Sequence, residues 1–247
     1  LAFRNYRIEI EYDGSDFQGW QRQKKSPNTI QEVLERALSK LLKEEIKITG
    51  AGRTDAGVHA IRQTANFRTS KAIENCDKFL YSLNSIISTN ITVNGISSVP
   101  EDFHSRYSAK SREYIYQITT RRKSLYGKYY FKLKYELDFK VIDDFTKILK
   151  GYKSFKSLCK NREDKHGFKC NLMDLKYSLN NKNGTIIFKI RSDRFLHSMV
   201  RATIGCLIDL GRNRLDLSET AAKFRKGEKI KATYLPSNAL FLNKIYY

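Results

Sequence analysis

The sequence holds only three prolines, two methionines and one tryptophan in 247 residues. No proline-rich or Gly/Ser-rich stretch interrupts it, so nothing marks a flexible linker between independent modules. The four cysteines, Cys76, Cys159, Cys170 and Cys206, show no CxxC pairing, which argues against a zinc site or a disulfide framework. Reduced thiols in a cytoplasmic protein are the plain expectation. No run approaches the roughly eighteen apolar residues that a membrane-spanning helix needs. Leu1 to Glu9 alternates polar and apolar side chains and lacks the apolar block of a signal peptide. Acids are scarce as well: 26 stand against 46 Lys and Arg, a net charge of +20. That excess favours a polyanionic partner, because neutralising phosphates releases their condensed counterions.

What is present suffices for a core, with 40% hydrophobic and 12% aromatic residues. Tyr6 to Tyr12 alternates apolar Tyr6, Ile8, Ile10 and Tyr12 with Arg7, Glu9 and Glu11, the period of a half-buried strand, and Asp13-Gly14 ends it. Thr29 and Glu32 form a capping box, and Ile30, Val33, Leu34, Ala37, Leu38, Leu41 and Leu42 then fall on one helical face. Ile46 to Ile48 starts a strand that runs into Gly50, and Val58 to Arg68 resumes as another. Lys78 to Ile87 reads as a helix and Ile91 to Val99 as a strand.

The second half repeats this order. Glu113 to Thr119 and Tyr129 to Leu137 are strand-like, and Val141 to Leu149 is helical. Leu172 to Leu179 and Thr185 to Arg191 form a hairpin after a charged loop, Asn161 to Lys169. His197 to Leu210 and Ser218 to Phe224 are helical, and Ala239 to Tyr246 is a closing strand. The pattern predicts an α+β protein with helices on one face of largely antiparallel sheets. Its two halves, 1–104 and 105–247, meet near Pro100 to Arg106.

The densest chemical signal is Gly50-Ala51-Gly52-Arg53-Thr54-Asp55-Ala56-Gly57-Val58-His59. Three glycines between strand-like flanks permit backbone conformations closed to other residues and a close approach by a second segment. Arg53 and Asp55 are two apart, so an extended segment turns both to one side. On composition alone a Gly-rich loop with one Asp is most often a tight turn. It contains no phosphate-binding GxxxxGK[ST] pattern.

Gly52 to His59 resembles the signature of the tRNA pseudouridine synthase A family. So do Ile10-Glu11-Tyr12-Asp13-Gly14 with Gly19-Trp20-Gln21-Arg22-Gln23, and Gln31-Glu32 at the head of the first helix. Asp102 to Ala109, Arg112-Glu113-Tyr114-Ile115-Tyr116, Phe195 to Arg201 before Gly205, and Ala239-Leu240-Phe241-Leu242 match in order. Residues 121–139 and 153–171 follow the family pattern poorly.

The resemblance implies two ferredoxin-like halves whose sheets meet at a central catalytic cleft. It implies conversion of uridine to pseudouridine in the tRNA anticodon stem-loop, at positions 38, 39 and 40, by a homodimer without metal, nucleotide or redox cofactor. Asp55 matches the essential aspartate, able to attack the anomeric carbon or to remove a ribose proton. Tyr114 matches the tyrosine that stacks on uracil. Arg53 is expected to pair with Asp55 or grip a phosphate, and Arg201 to pair with Asp55. His59, His104 and His197 are assigned structural or RNA-contacting roles, and Tyr116 packing. Two other readings stand beside this one: a non-catalytic RNA binder, and a carboxylate glycosidase, which usually needs two flanking acids where this loop supplies one.

Overall fold

The computed structural model describes residues 3–24, 27–160 and 167–247; most of the charged loop expected from Asn161 to Lys169 lies outside them. In chain order the elements begin with β1 (Arg4–Tyr12), α1 (Ile30–Leu42), β2 (Ile48–Gly50), β3 (His59–Thr69), α2 (Cys76–Ile86) and β4 (Ile91–Val99). They continue with β5 (Ser111–Thr119), β6 (Phe131–Lys132), α3 (Phe139–Lys150), β7 (Leu172–Asn180) and β8 (Thr185–Ser192). The last are α4 (Met199–Gly211), α5 (Leu217–Lys226) and β9 (Leu240–Tyr246). This is a mixed α+β protein with mostly antiparallel strand pairs. The chain divides into two compact units, Leu1–Arg112 with Phe241–Tyr247, and Glu113–Leu240.

In the first unit the strand order is β4-β1-β3-β9, with β2 on β3. The alternation of β1 does what its period demands: Tyr6, Ile8, Ile10 and Tyr12 are buried while Arg7, Glu9 and Glu11 face water. Ile8 pairs with Ala65 on one side and Ile96 on the other. Helix α1 adds Ile30, Leu34 and Leu38, all fully buried, each contributing about 1.5–3 kcal/mol of apolar transfer. The Thr29 hydroxyl accepts from the Glu32 amide at 3.3 Å, and the Glu32 carboxylate pairs with Arg22 Nε at 3.1 Å. Helix α2 starts at Cys76, two residues before the expected Lys78, because Asn75 caps it by accepting from the Lys78 amide.

In the second unit the order is β5-β8-β7, with β6 beside β5. The β7–β8 hairpin follows the expected boundaries closely and turns at Gly184, whose φ of +59° is left-handed. Asp138 caps α3, which brings Ile142, Phe145 and Leu149 to a core shared with Phe155, Phe188 and Phe224. Two expectations are corrected. Tyr129 to Leu137 is not a strand: a 3-10 turn at Gly127–Tyr129 and the two-residue β6 take its place. Left-handed Tyr126 starts the 3-10 turn that takes in Tyr129, and of the alternating apolar side chains only Leu133 is buried. The helix expected from His197 begins at Met199, because Ser198 is left-handed at φ 56°. His197 therefore does not share a helical face with Arg201. No helix among the described residues is long and apolar enough to cross a membrane.

Candidate active site

The Gly50–Val58 loop joins β2 to β3, and the segment 13–23 is packed against it. Three glycines make that approach possible. A Cβ on Gly14 would lie 2.0 Å from the Val58 carbonyl oxygen, and one on Gly19 would lie 2.5 Å from that of Thr54. A Cβ on Gly50 would lie 2.4 Å from the Trp20 indole, which is 2% exposed. These are contacts that only glycine allows.

Hydrogen bonds hold the loop from below. The Trp20 amide donates to the Thr54 carbonyl at 3.1 Å, and Gln63 Nε2 donates to Gly52 O at 2.7 Å. The Thr54 hydroxyl meets the Tyr12 hydroxyl at 2.8 Å in a buried contact. Thr54 is buried, whereas Arg53 is exposed and Asp55 half-buried. Asp55 also opens a tight turn, its carbonyl accepting from the Val58 amide at 3.2 Å with Gly57 at φ +75°. The turn uses the backbone of Asp55.

Arg112 fastens the start of this loop. Its Nε and Nη2 donate to the Ala51 carbonyl at 3.3 and 3.0 Å. Nη1 donates to Ala109 O at 3.1 Å and Nη2 also to Arg106 O at 2.5 Å. One guanidinium thus ties the 50–58 loop to the 106–109 turn, and bonds to a charged donor contribute about 1.5–3 kcal/mol each. Arg112 falls in the family-like stretch Arg112 to Tyr116, where the sequence alone assigns it no role. Backbone acceptors leave no side-chain pattern to read.

The segment 19–23 has a comparable function. Gln31 Oε1 accepts from Gln21 Nε2 at 2.6 Å and from the Arg22 amide at 3.0 Å. Buried Glu35 accepts from the Ile48 amide at 3.0 Å and from Gln31 Nε2 at 2.9 Å. This network anchors the Gly-Trp-Gln-Arg-Gln segment to α1 and to the root of β2. His59, under the loop, has its Nδ1 3.0 Å from both the Gly14 amide and an Asp13 carboxylate oxygen. Its ring stacks on Phe241, a structural setting.

The second unit carries Tyr114 and Arg201. Tyr114, on β5, is 7% exposed and meets Phe195 edge-on at 5.1 Å. Arg201 is the one residue of α4 that is not buried. Its Nε donates to Leu235 O at 2.5 Å. Tyr116 is fully buried and donates to Pro236 O at 3.0 Å. Burial pushes its phenol well above the usual range, and the positive charge of Arg201 partly opposes this. Segment 233–236 is itself seated on α4: a Cβ at Gly205 would lie 1.8 Å from Thr233 O, and buried Asp209 accepts from the Thr233 amide at 2.7 Å. Among the described residues no group of three or more His, Cys, Asp or Glu is arranged to hold a metal ion.

Comparisons with known proteins bear on the whole chain. The family model described as tRNA pseudouridine synthase matches residues 8–108 and 146–247. The tRNA pseudouridine synthase A of Chlorobium limicola is 40% identical over 211 residues, 85% of this chain and 86% of that protein. That of Bacteroides fragilis is 34% identical, covering 100% of this chain and 98% of its own. That of Pelodictyon phaeoclathratiforme is 36% identical over 91% of each. The chain belongs to the tRNA pseudouridine synthase family, isomerases that act on uridine in tRNA.

Proposed function

We propose that this protein isomerises uridine to pseudouridine in the anticodon stem-loop of tRNA, at positions 38 to 40, with the Asp55 carboxylate as nucleophile or base. The observation that carries this reading is the build of the 50–58 loop, pinned through Thr54 and Gly52 while Arg53 is exposed and Asp55 half-buried. The N-glycosidic bond breaks, the uracil turns, and a bond from the anomeric carbon to C5 replaces it. C5 gives up its proton and N1, which carries none while bonded to the sugar, takes one up, so the RNA neither gains nor loses mass. Arg53 grips the substrate beside Asp55, Tyr114 takes the uracil face, and Arg201 serves as the second substrate-binding arginine. The uridine must leave its stack first, at a cost of about a few kcal/mol. Basic side chains drawn from the net charge of +20 offset this by holding phosphates.

The finer reading of the fold belongs to the same proposal: two ferredoxin-like halves, the first presenting the Asp55 loop and the second completing the site and the RNA surface. In its support, the first unit has the chain order βαββαβ and the strand order β4-β1-β3 with β2 beside β3. In the second unit β5, α3, β7, β8 and α4 follow in the same order, with the two-residue β6 inserted after β5 and α5 after α4. Action as a homodimer in the cytoplasm rests on the resemblance alone.

The test is carbodiimide mapping of pseudouridine in unmodified tRNA incubated with the protein. Signal confined to the anticodon arm is expected. Signal elsewhere overturns the substrate site, and release of free uracil overturns the chemistry in favour of a glycosidase.

A further inference from the structure

Residues 119–135 contain no acid and six bases: Arg121, Arg122, Lys123, Lys128, Lys132 and Lys134. The stretch also carries an exposed apolar tip. Leu125 is 80% exposed and Tyr126 73%, more than any other large hydrophobic side chain among the described residues of this unit. Tyr126 is left-handed at φ 59°, and the 3-10 turn that follows holds it there. The tip is built on firm ground. Arg121 donates to Lys182 O at 2.8 Å and to Asn181 O at 3.3 Å, fixing the loop to the β7–β8 turn. Lys123 lies over the Tyr130 ring at 5.3 Å and Lys128 over the Tyr129 ring at 4.8 Å. Asn238 Nδ2 donates to the Lys128 carbonyl. Asn238 lies two residues after Pro236, in the segment whose Leu235 and Pro236 carbonyls accept from Arg201 and Tyr116. One strap thus supports both the basic loop and Arg201.

We propose that Tyr126, presented by the basic loop 121–132, stacks on an unpaired base of the RNA while Arg122, Lys123 and Lys128 hold the flanking phosphates. An exposed phenol ring is suited to this, because every base offers a π-face, whereas a paired stem offers none at its sides. Charge selects a polyanion, and the ring selects a single-stranded part of it. The inference rests on the proposed RNA substrate and adds the contact that discriminates loop from stem.

The test uses the whole protein and an anticodon stem-loop RNA with a fluorescent adenine analogue in its loop. Tyr126→Ala is expected to weaken binding about 5- to 150-fold and to abolish quenching of the analogue, while Tyr126→Phe stays near wild type. The salt dependence of Tyr126→Ala should keep the wild-type slope. Combined Arg122→Ala, Lys123→Ala and Lys128→Ala should lower that slope by about 2, at about 0.7 per phosphate contact. Unchanged binding and quenching in Tyr126→Ala overturns the proposal. So does an equal loss of affinity for a fully paired duplex, or a shift in oligomeric state as the only change. Quenching with no pseudouridine formed would sink the catalytic reading and leave this one standing; full activity with unquenched RNA would do the reverse.

Discussion

Arg112 in the first unit and Asp209 in the second do the same job with opposite charges. Arg112 is a cation that donates to three backbone carbonyls, those of Ala51, Arg106 and Ala109. Asp209 is a fully buried anion. It accepts from Arg212 at 2.7 and 3.1 Å and from the Thr233 amide at 2.7 Å, and Arg214 lies at 3.5 Å. The difference is in what each leaves behind when removed. Without Asp209, a buried amide and a guanidinium lose the group that compensates them, a cost the whole unit bears. Without Arg112, three carbonyls lose a donor, and a carbonyl's second lone pair and water can absorb part of that loss. Asp209 is therefore a stability residue, and Arg112 a positioning residue for the Asp55 loop.

The comparison breaks if the two substitutions behave alike. Asp209→Ala carries the larger free-energy effect, a loss of about 3 kcal/mol in denaturant unfolding, low in the buried-pair range because Arg214 is half exposed. Residual folded Asp209→Ala should keep more activity than Arg112→Met, its loss arising through the 233–236 segment that meets Arg201. Arg112→Met is the smaller one in stability, about 1 kcal/mol. It should nonetheless lower kcat about 100-fold with KM little changed, because displacing a reacting group by an ångström is enough for that. Arg112→Lys, which can still donate to Ala51 O, should recover part of the rate. A kcat loss that merely follows the unfolded fraction would remove Arg112 from the site.

Much of the fold was legible because its elements obey simple periods. The strict alternation of β1 and the helical stripe of α1 each name the buried face directly, and the Leu172–Arg191 hairpin was marked by its turn residues. Where two patterns competed, reading failed. Tyr129 to Leu137 alternates like a strand, yet it has strand partners only for Phe131 and Lys132, opposite Ile118 and Thr119. Ser198 offers no signal of the left-handed backbone that starts α4 late. The sequence suggested a division at 104/105. The compact units divide at 112/113, and Phe241–Tyr247 associates with the first, a long-range partnership that no local pattern carries. Of the candidate site, spacing and motif named Asp55 and Arg53. Trp20, Tyr12 and Arg112 were visible in motifs but not in role, because their partners are a glycine's missing Cβ, a hydroxyl and backbone oxygens.

The central claim is that one carboxylate performs the chemistry while the rest of the molecule presents it. A single-turnover assay of Asp55→Asn on unmodified tRNA, with binding measured on the same sample, tests that directly. We predict undiminished tRNA affinity and no detectable pseudouridine. Pseudouridine formed at the wild-type rate would contradict the account.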